Sequence, residues 1–317
     1  MPFARRLRPL AAVALMLVGT VAAPLHAQAP APNPIPEVRA LIAKSDIPGA
    51  ERVLRAFLAE HGPTPQGLEA LSWLGRGSLA AGELDEALNY AYETERMAVA
   101  ALASRPLDEE PHLPIALGAA IEVQAQTLAR QEQLSTAIRV LERAVDGYGA
   151  TSIRTRLFKN INLLSLEGKS APEYLTAEYV GRRPPSLREL KGKAVLLFFW
   201  AHWCPDCKAM APTLTALQEA YGDAGLVVVA PTQRYGYVAG RAPAEADVEM
   251  RYIAQVLAES YPGLDVPVPV SAESFSNFGS STTPTLVLVD RTGVVTLYNP
   301  GRMTREALEP HVKRALR

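Results

Sequence analysis

The two cysteines are the residues of this chain best suited to chemistry. Cys204 and Cys207 are separated by Pro205 and Asp206, and the 317-residue sequence contains no other cysteine. Two thiols at this spacing can form a disulfide and exchange it with a disulfide on another molecule. A disulfide-rich mini-protein is excluded, because one pair of cysteines cannot staple a whole fold together.

The dithiol lies where a buried strand is predicted to end and a helix to begin. The apolar run Ala194–Trp200 precedes it, and Cys204–Tyr221 carries apolar residues at helical spacing. At a helix start, unpaired backbone N–H groups and the helix dipole favour the thiolate of Cys204, and Pro205 suits the first helical position. Cys207 falls one turn further along. We therefore predict that Cys204 is the exposed nucleophile and Cys207 the resolving thiol.

Charged neighbours leave the protonation of the dithiol open, and the pair has two alternative uses. Asp206 opposes the thiolate by repulsion, whereas His202 and Lys208 favour it. The pair could also be half of a zinc site, whose remaining ligands would be distant histidines. A structural disulfide is disfavoured, because so short a loop constrains the unfolded chain little.

The surrounding pattern predicts the elements that position the pair. Short aliphatic runs typical of strands buried on both faces lie at Ala194–Trp200, Leu226–Ala230 and Thr285–Val289. The turn Asp290–Gly293 joins the last of these to Val294–Tyr298, and Thr304–Leu316 has the spacing of an amphipathic helix. The resulting order, βαβ followed by ββα, is that of a thioredoxin fold.

Several motifs resemble those of a known family. The segment Phe198–Lys208, with Pro212 after it, resembles the active-site strand and kinked helix of thioredoxins. Further segments resemble TlpA/ResA-like exported oxidoreductases: Gly168–Pro172, Leu190–Ala194, Thr283–Thr285 and Leu288–Gly293. The resemblance covers Gly168–Arg317, about half of the chain.

This resemblance implies roles for residues beyond the cysteines. Pro284 would follow a cis peptide bond and stack against the dithiol, the backbone of Thr283 would pair with an extended client segment, and Trp203 would flank the sulfurs. Phe198 stands where thioredoxins carry a buried acid, so another group or water would have to deprotonate Cys207.

The segment Gln233–Ser271 is longer than the minimal family loop. It contains a predicted extra helix at Pro243–Tyr261. Tyr235 and Tyr237 could border the active-site face, but packing on the surface is the favoured role for both.

The first half of the chain has a different character. Ala, Leu, Glu and Arg at helical spacing predict helices throughout Pro36–Leu166. Leu74, Gly75, Gly82 and Ala87 lie at the offsets of a tetratricopeptide repeat, which this region resembles; a helical bundle without a true repeat is the alternative. The two histidines of Pro36–Leu166, His61 and His112, are predicted to be isolated, solvated loop residues.

The N-terminus has the layout of a secretory signal peptide. Basic residues precede the apolar run Leu10–Ala23, and the small residue Ala27 offers a cleavage site. We expect export to a bacterial periplasm or secretion, with an uncleaved membrane anchor as the alternative. The full division is 1–27 signal peptide, 28–36 flexible tail, 37–166 helical tetratricopeptide-like domain and 168–317 thioredoxin-like domain.

The combined prediction is an all-α, helical-hairpin or repeat-like N-terminal domain followed by an α/β thioredoxin-fold C-terminal domain. The expected function is reduction of protein disulfides without metal or organic cofactor, using protein disulfide or dithiol clients and a membrane-side electron-donor protein. The helical domain would recruit a partner. A net charge of −1 gives no reason to expect nucleic acid. The alternatives are a peroxiredoxin-like peroxidase and a non-enzymatic adaptor.

Overall fold

Helices occupy the first half of the chain, as its apolar spacing predicts. The computed structural model describes residues 32–317. The seven helices of this half within that range are α1 Ile35–Ala43, α2 Ile47–His61, α3 Pro65–Ala81, α4 Leu84–Ala101, α5 His112–Arg130, α6 Leu134–Tyr148 and α7 Arg154–Ser165. The predicted signal peptide lies outside the described residues. The first helix begins at Ile35, within the predicted tail.

Small residues let consecutive helices of this half pack closely. A Cβ on Gly75 of α3 would lie 3.6 Å from the carbonyl oxygen of Ala87 in α4. Gly82, at a φ of +84°, ends α3 in the left-handed region that glycine adopts without strain. These residues belong to the repeat-like pattern of the sequence, and the repeat itself stays a prediction.

The histidine prediction for this half is wrong for His112, whereas His61 is exposed as predicted. His112 is the first residue of α5, and its Nδ1 lies 2.7 Å from Oε2 of the buried Glu69. His61 is the last residue of α2, and its ring packs on that of Phe57 with 4.7 Å between centroids. His112 is therefore a partly buried partner of the helical core, whereas His61 is exposed as predicted, although it ends a helix rather than lying in a loop.

The second half of the chain is an α/β unit built on a mixed sheet, which confirms the predicted fold class. The strands within the described residues are β1 Tyr179–Val180, β2 Ala194–Phe199, β3 Leu226–Val229, β4 Val268–Pro269, β5 Thr285–Val289 and β6 Val295–Pro300. The main sheet has the order β3-β2-β5-β6; β2 runs parallel to β3 and antiparallel to β5, and β5 is antiparallel to β6. Strands β1 and β4 form a separate antiparallel pair.

Helices cover both faces of the main sheet. They are α8 Pro205–Lys208, α9 Ala211–Tyr221, α10 Ala246–Ser260, α11 Ala272–Asn277 and α12 Arg305–Ala315. The even-numbered residues of the central strand β2 pack with α9, α10 and α12, and its odd-numbered residues pack with Phe275 and Phe278 around α11. Complete burial of β2 explains why its sequence is continuously apolar.

The predicted helix Cys204–Tyr221 is interrupted after Lys208. Pro212 lies in the first turn of α9, where its missing N–H would have no helical partner. The chain therefore forms the short helix α8, a break at Ala209 and Met210, and then α9. This break leaves α8 as a single turn carrying the dithiol.

The helical half packs directly on the α/β half. Helix α7 contacts α11 and β6. Arg154 donates through Nε to Ser276 Oγ at 2.7 Å, and the backbone N–H of Tyr298 donates to Glu167 Oε1 at 3.0 Å. Residues Asn33–Arg317 accordingly form one compact unit, and the boundary drawn near residue 167 stays a prediction. No helix in the part of the chain that is described could cross a membrane.

Candidate active site

A tight turn delivers the first cysteine from the end of β2. The backbone N–H of Cys204 donates to the carbonyl oxygen of Ala201 at 3.0 Å, so His202 and Trp203 are the two central residues of a four-residue turn. Cys204 then caps the N-terminus of α8, with Pro205 at the first helical position. The strand–turn–helix junction predicted from the sequence is therefore present.

Cys204 and Cys207 are joined in a disulfide, with 5.3 Å between their Cα atoms. The backbone N–H of Cys207 points at Sγ of Cys204 at 3.1 Å. Cys204 is only 2% exposed and Cys207 is fully buried. The expectation that Cys204 is exposed is thus wrong for this disulfide form, because the turn directs its sulfur under the loop that carries Pro284.

That loop places a backbone carbonyl against the disulfide. The Thr283–Pro284 peptide bond is cis, as the resemblance implies. The carbonyl oxygen of Thr283 lies 3.4 Å from Sγ of Cys204, and Pro284 is buried. The loop is held on its far side by Thr285, whose Oγ1 donates to the carbonyl of Thr282 at 2.6 Å. The structure therefore brings Thr283 and Pro284 together with the dithiol.

The charges inside the dithiol motif face solvent. The Asp206 side chain is 62% exposed and lies 3.6 Å from the guanidinium of Arg302. Lys208 is exposed on the next turn, and neither side chain is directed into the protein core. Charges screened by water act weakly on a buried sulfur.

The position of the missing thioredoxin acid is filled by aromatic residues. Phe198 is buried in β2, and its ring centroid lies 6.0 Å from that of Tyr261. Burial raises the pKa of Tyr261, whose hydroxyl is buried without a hydrogen-bond partner among residues 32–317. The position of the acid is therefore held by a side chain that cannot ionise.

A buried carboxylate that the sequence reasoning missed lies on the other side of the turn. Glu249, on α10, accepts three hydrogen bonds: from Nε2 of His202 at 3.1 Å, from the backbone N–H of Tyr235 at 2.6 Å and from that of Gly236 at 2.8 Å. The side chains of His202 and Glu249 are each 1% exposed. Burial lowers the pKa of His202, so the imidazole is held in its neutral form. One signal was present in the sequence: Glu249 shares a helix face with the buried residues Ile253 and Val256.

Aromatic rings enclose His202. The ring centroids of Tyr235, Tyr237 and Tyr252 lie 5.5, 5.4 and 5.2 Å from that of the imidazole. Tyr235 also meets the indole of Trp203 edge-on at 5.5 Å, while Trp203 itself remains 47% exposed. Tyr235 and Tyr237 therefore pack on the turn that delivers Cys204, and the favoured prediction that they only pack on the surface is wrong.

Comparisons with known proteins agree with this geometry. The model of the Redoxin family matches residues 166–316. The thioredoxin-like protein YneN of Bacillus subtilis is 30% identical over 143 residues, which cover 45% of this chain and 76% of that protein. The chain belongs to the thioredoxin-like Redoxin family.

Other relatives of this Redoxin-family chain match over a similar region. The thiol-disulfide oxidoreductase ResA of Bacillus anthracis is 26% identical over 147 residues, covering 46% of this chain and 77% of that protein. A crystal structure of a putative thiol:disulfide interchange protein DsbE from Chlorobium tepidum aligns with 27% identity and a TM-score of 0.37, over 47% of this chain and 97% of that one. The Redoxin match begins at Leu166, the residue after α7.

Proposed function

We propose that the chain is a thiol–disulfide oxidoreductase that reduces disulfides in client proteins. One observation carries this proposal: Cys204 and Cys207 form a disulfide at the N-terminus of a helix, with the Thr283 carbonyl against the first sulfur. The three residues come from two parts of the chain about 80 positions apart, and disulfide exchange uses all of them.

Exchange would proceed in two steps. The thiolate of Cys204 attacks one sulfur of a client disulfide, forms a mixed disulfide and releases the other client sulfur as a thiolate. The thiolate of Cys207 then attacks Sγ of Cys204 and releases the second client sulfur. The client disulfide gains two electrons and two protons, and the chain is left with the Cys204–Cys207 disulfide seen in the structure.

The backbone supports these roles. In the reduced protein the N–H of Cys207, which lies 3.1 Å from Sγ of Cys204, would stabilise a thiolate on Cys204. Both cysteines are buried in the disulfide form, but Cys204 follows the exposed Trp203 and Cys207 lies one turn further in, so the first cysteine is nearer the surface that a client can reach. These facts favour Cys204 as the nucleophile and Cys207 as the resolving thiol.

Client docking would use the surface beside the sulfur. A client segment in extended conformation can pair with the backbone of Thr283, which is half-buried beside Pro284. The exposed indole of Trp203 would cover a client side chain next to the reacting cysteine. Pro205, exposed at the start of α8, borders the same opening.

The remaining parts of the proposal concern place and partners. The basic and apolar N-terminal residues support export, to a bacterial periplasm or beyond, where an electron-donor protein at the membrane would return two electrons per cycle. The helical half, which lies before the Redoxin match, would bind a partner or client.

Trapping of mixed disulfides tests the proposal. In the variant Cys207→Ser, client proteins should accumulate on Cys204 as adducts that a thiol reductant releases. The matched control Cys204→Ser should form none. The reduced wild-type chain should also reduce insulin, and an equilibrium with glutathione gives its reduction potential.

The outcomes separate the alternatives. Absence of adducts together with absence of insulin reduction would contradict the proposal and favour an adaptor. Rapid consumption of hydrogen peroxide without client adducts would favour a peroxidase. A potential near about −120 mV, the oxidising end of this fold's range, would reverse the direction of electron flow.

A further inference from the structure

Glu249 lies far from the dithiol in the sequence and close to it in the fold. It is 47 positions after His202 and lies on α10, in the segment between β3 and β4. Among the described residues of the α/β half, Glu249 is the only Asp or Glu that is buried, with 1% of its surface exposed. A carboxylate hidden from water is retained only where hydrogen bonds replace the water it has lost.

Each hydrogen bond to Glu249 comes from a group next to the turn that delivers Cys204. The first is the imidazole of His202, the second residue of that turn. The other two are the backbone N–H groups of Tyr235 and Gly236, which set the position of the Tyr235 ring. The Tyr235 ring in turn packs edge-on against Trp203, the third residue of the turn.

The Glu249 carboxylate therefore holds both central residues of the turn in place. It accepts a hydrogen bond from His202 directly, and it acts on Trp203 through the ring of Tyr235. Within the turn a single backbone hydrogen bond, from Cys204 N–H to the Ala201 carbonyl, closes the loop, and the rings of Tyr237 and Tyr252 also pack on His202. Phe198, which belongs to the same buried apolar cluster as both cysteines, offers the dithiol no hydrogen bond.

We infer that Glu249 is a positioning residue for the dithiol. Through His202 it fixes where Sγ of Cys204 lies relative to the N–H groups of α8, and through Tyr235 it holds Trp203 in place for client docking. This inference rests on the proposed function, but its first effect is on the chemistry of Cys204 itself and can be measured without any client.

The test compares Glu249→Gln and Glu249→Ala with the matched control Glu259→Gln, which removes an exposed carboxylate from the same helix. Three quantities are measured on each folded, full-length variant: the pH dependence of Cys204 alkylation by iodoacetamide, the reduction potential against glutathione, and kcat and KM for insulin reduction.

Glu249→Ala should slow alkylation of Cys204 at neutral pH by about tenfold, shift its pH profile upward and change the reduction potential, because the sulfur loses its fixed place at the helix start. Glu249→Gln should be intermediate. Its amide can accept one backbone N–H and donate to the imidazole, which has a tautomer that accepts. Glu259→Gln should match the wild type in all three measurements.

Two more variants separate the effect of Glu249 through His202 from its effect through Tyr235. They also test the inference if the Glu249 variants fail to fold. Tyr235→Leu removes the aromatic ring that packs against Trp203. It should raise KM for the client and leave the pH profile of Cys204 alkylation unchanged. His202→Phe removes the hydrogen bond to the turn and should shift that profile.

An unchanged alkylation profile and potential in folded Glu249→Ala would overturn the inference, as would an unchanged profile in His202→Phe. A wild-type chain that equilibrates with glutathione but reduces no client would contradict the proposed function alone, because alkylation and potential report on Cys204 in either case.

Discussion

Gly279, on the loop that leads to Pro284, lies directly against the backbone of Lys159 in α7. A Cβ added to Gly279 would come within 2.6 Å of the Lys159 Cα, and the glycine has a φ of +61°. Four residues later, the Thr283 carbonyl lies 3.4 Å from Sγ of Cys204. The helical half therefore supports the loop that forms one side of the dithiol site.

Gly279→Ala should weaken this contact between the two halves. The new methyl group meets backbone atoms that cannot rotate away, and the left-handed φ adds its own cost, so we expect a loss of about 3 kcal/mol in the free energy of unfolding. Urea denaturation measures it. The control is Gly192→Ala, at φ +87° with open space around its Cβ, which should lose only about 1–2 kcal/mol. Equal losses in the two variants would show that the contact contributes nothing to stability.

Trp203→Ala should affect clients more than the fold. The indole is 47% exposed, so its removal should change the unfolding midpoint little. A client that packs on it would lose about 1.4 kcal/mol of binding, seen as an increase of about tenfold in KM with kcat nearly constant. Insulin-reduction kinetics check this. A fall in kcat at unchanged KM would instead mean that the indole acts on the sulfur chemistry.

The buried imidazole of His202 should make stability depend on pH. Burial lowers its pKa below the usual 6.5, although the hydrogen bond that it donates to Glu249 acts in the opposite direction. Below pH 6.5 the unfolded chain therefore binds more protons at this ring than the folded protein does. The stability that the neutral ring contributes is present above that pH and is lost as the pH falls through the folded-state pKa.

The variant His202→Gln isolates this contribution. Its amide can still donate to Glu249, but it does not titrate. Charges and hydroxyls near the ring, those of Glu249, Lys208, Tyr235, Tyr237 and Tyr252, are the same in both proteins. The free energy of unfolding, measured by urea denaturation from neutral to acidic pH, should fall less steeply in His202→Gln. Parallel curves for the two proteins would contradict the assignment.

Sequence patterns predicted much of the fold, because the features that they predicted depend on residues that are close together in the chain. Strands β2, β3 and β5 were predicted within one residue, because a continuous aliphatic run is typical of a strand buried on both faces. Pro212 and Gly82 mark helix ends through their own backbone preferences, and Thr304 marks one through the hydrogen bond that its side chain accepts. The dithiol was identified from spacing and from the junction between strand and helix, which are properties of neighbouring residues.

The sequence by itself determined that a dithiol follows a buried strand, and the family motifs then indicated which proline and threonine lie beside it. Only the tertiary structure decided that Cys204 is covered in the disulfide form, that His202 meets Glu249 across 47 positions, and that α7 packs against Gly279. Hydrophobic spacing and backbone preference act over a few residues, whereas the partner of a buried polar group depends on which distant segments pack together.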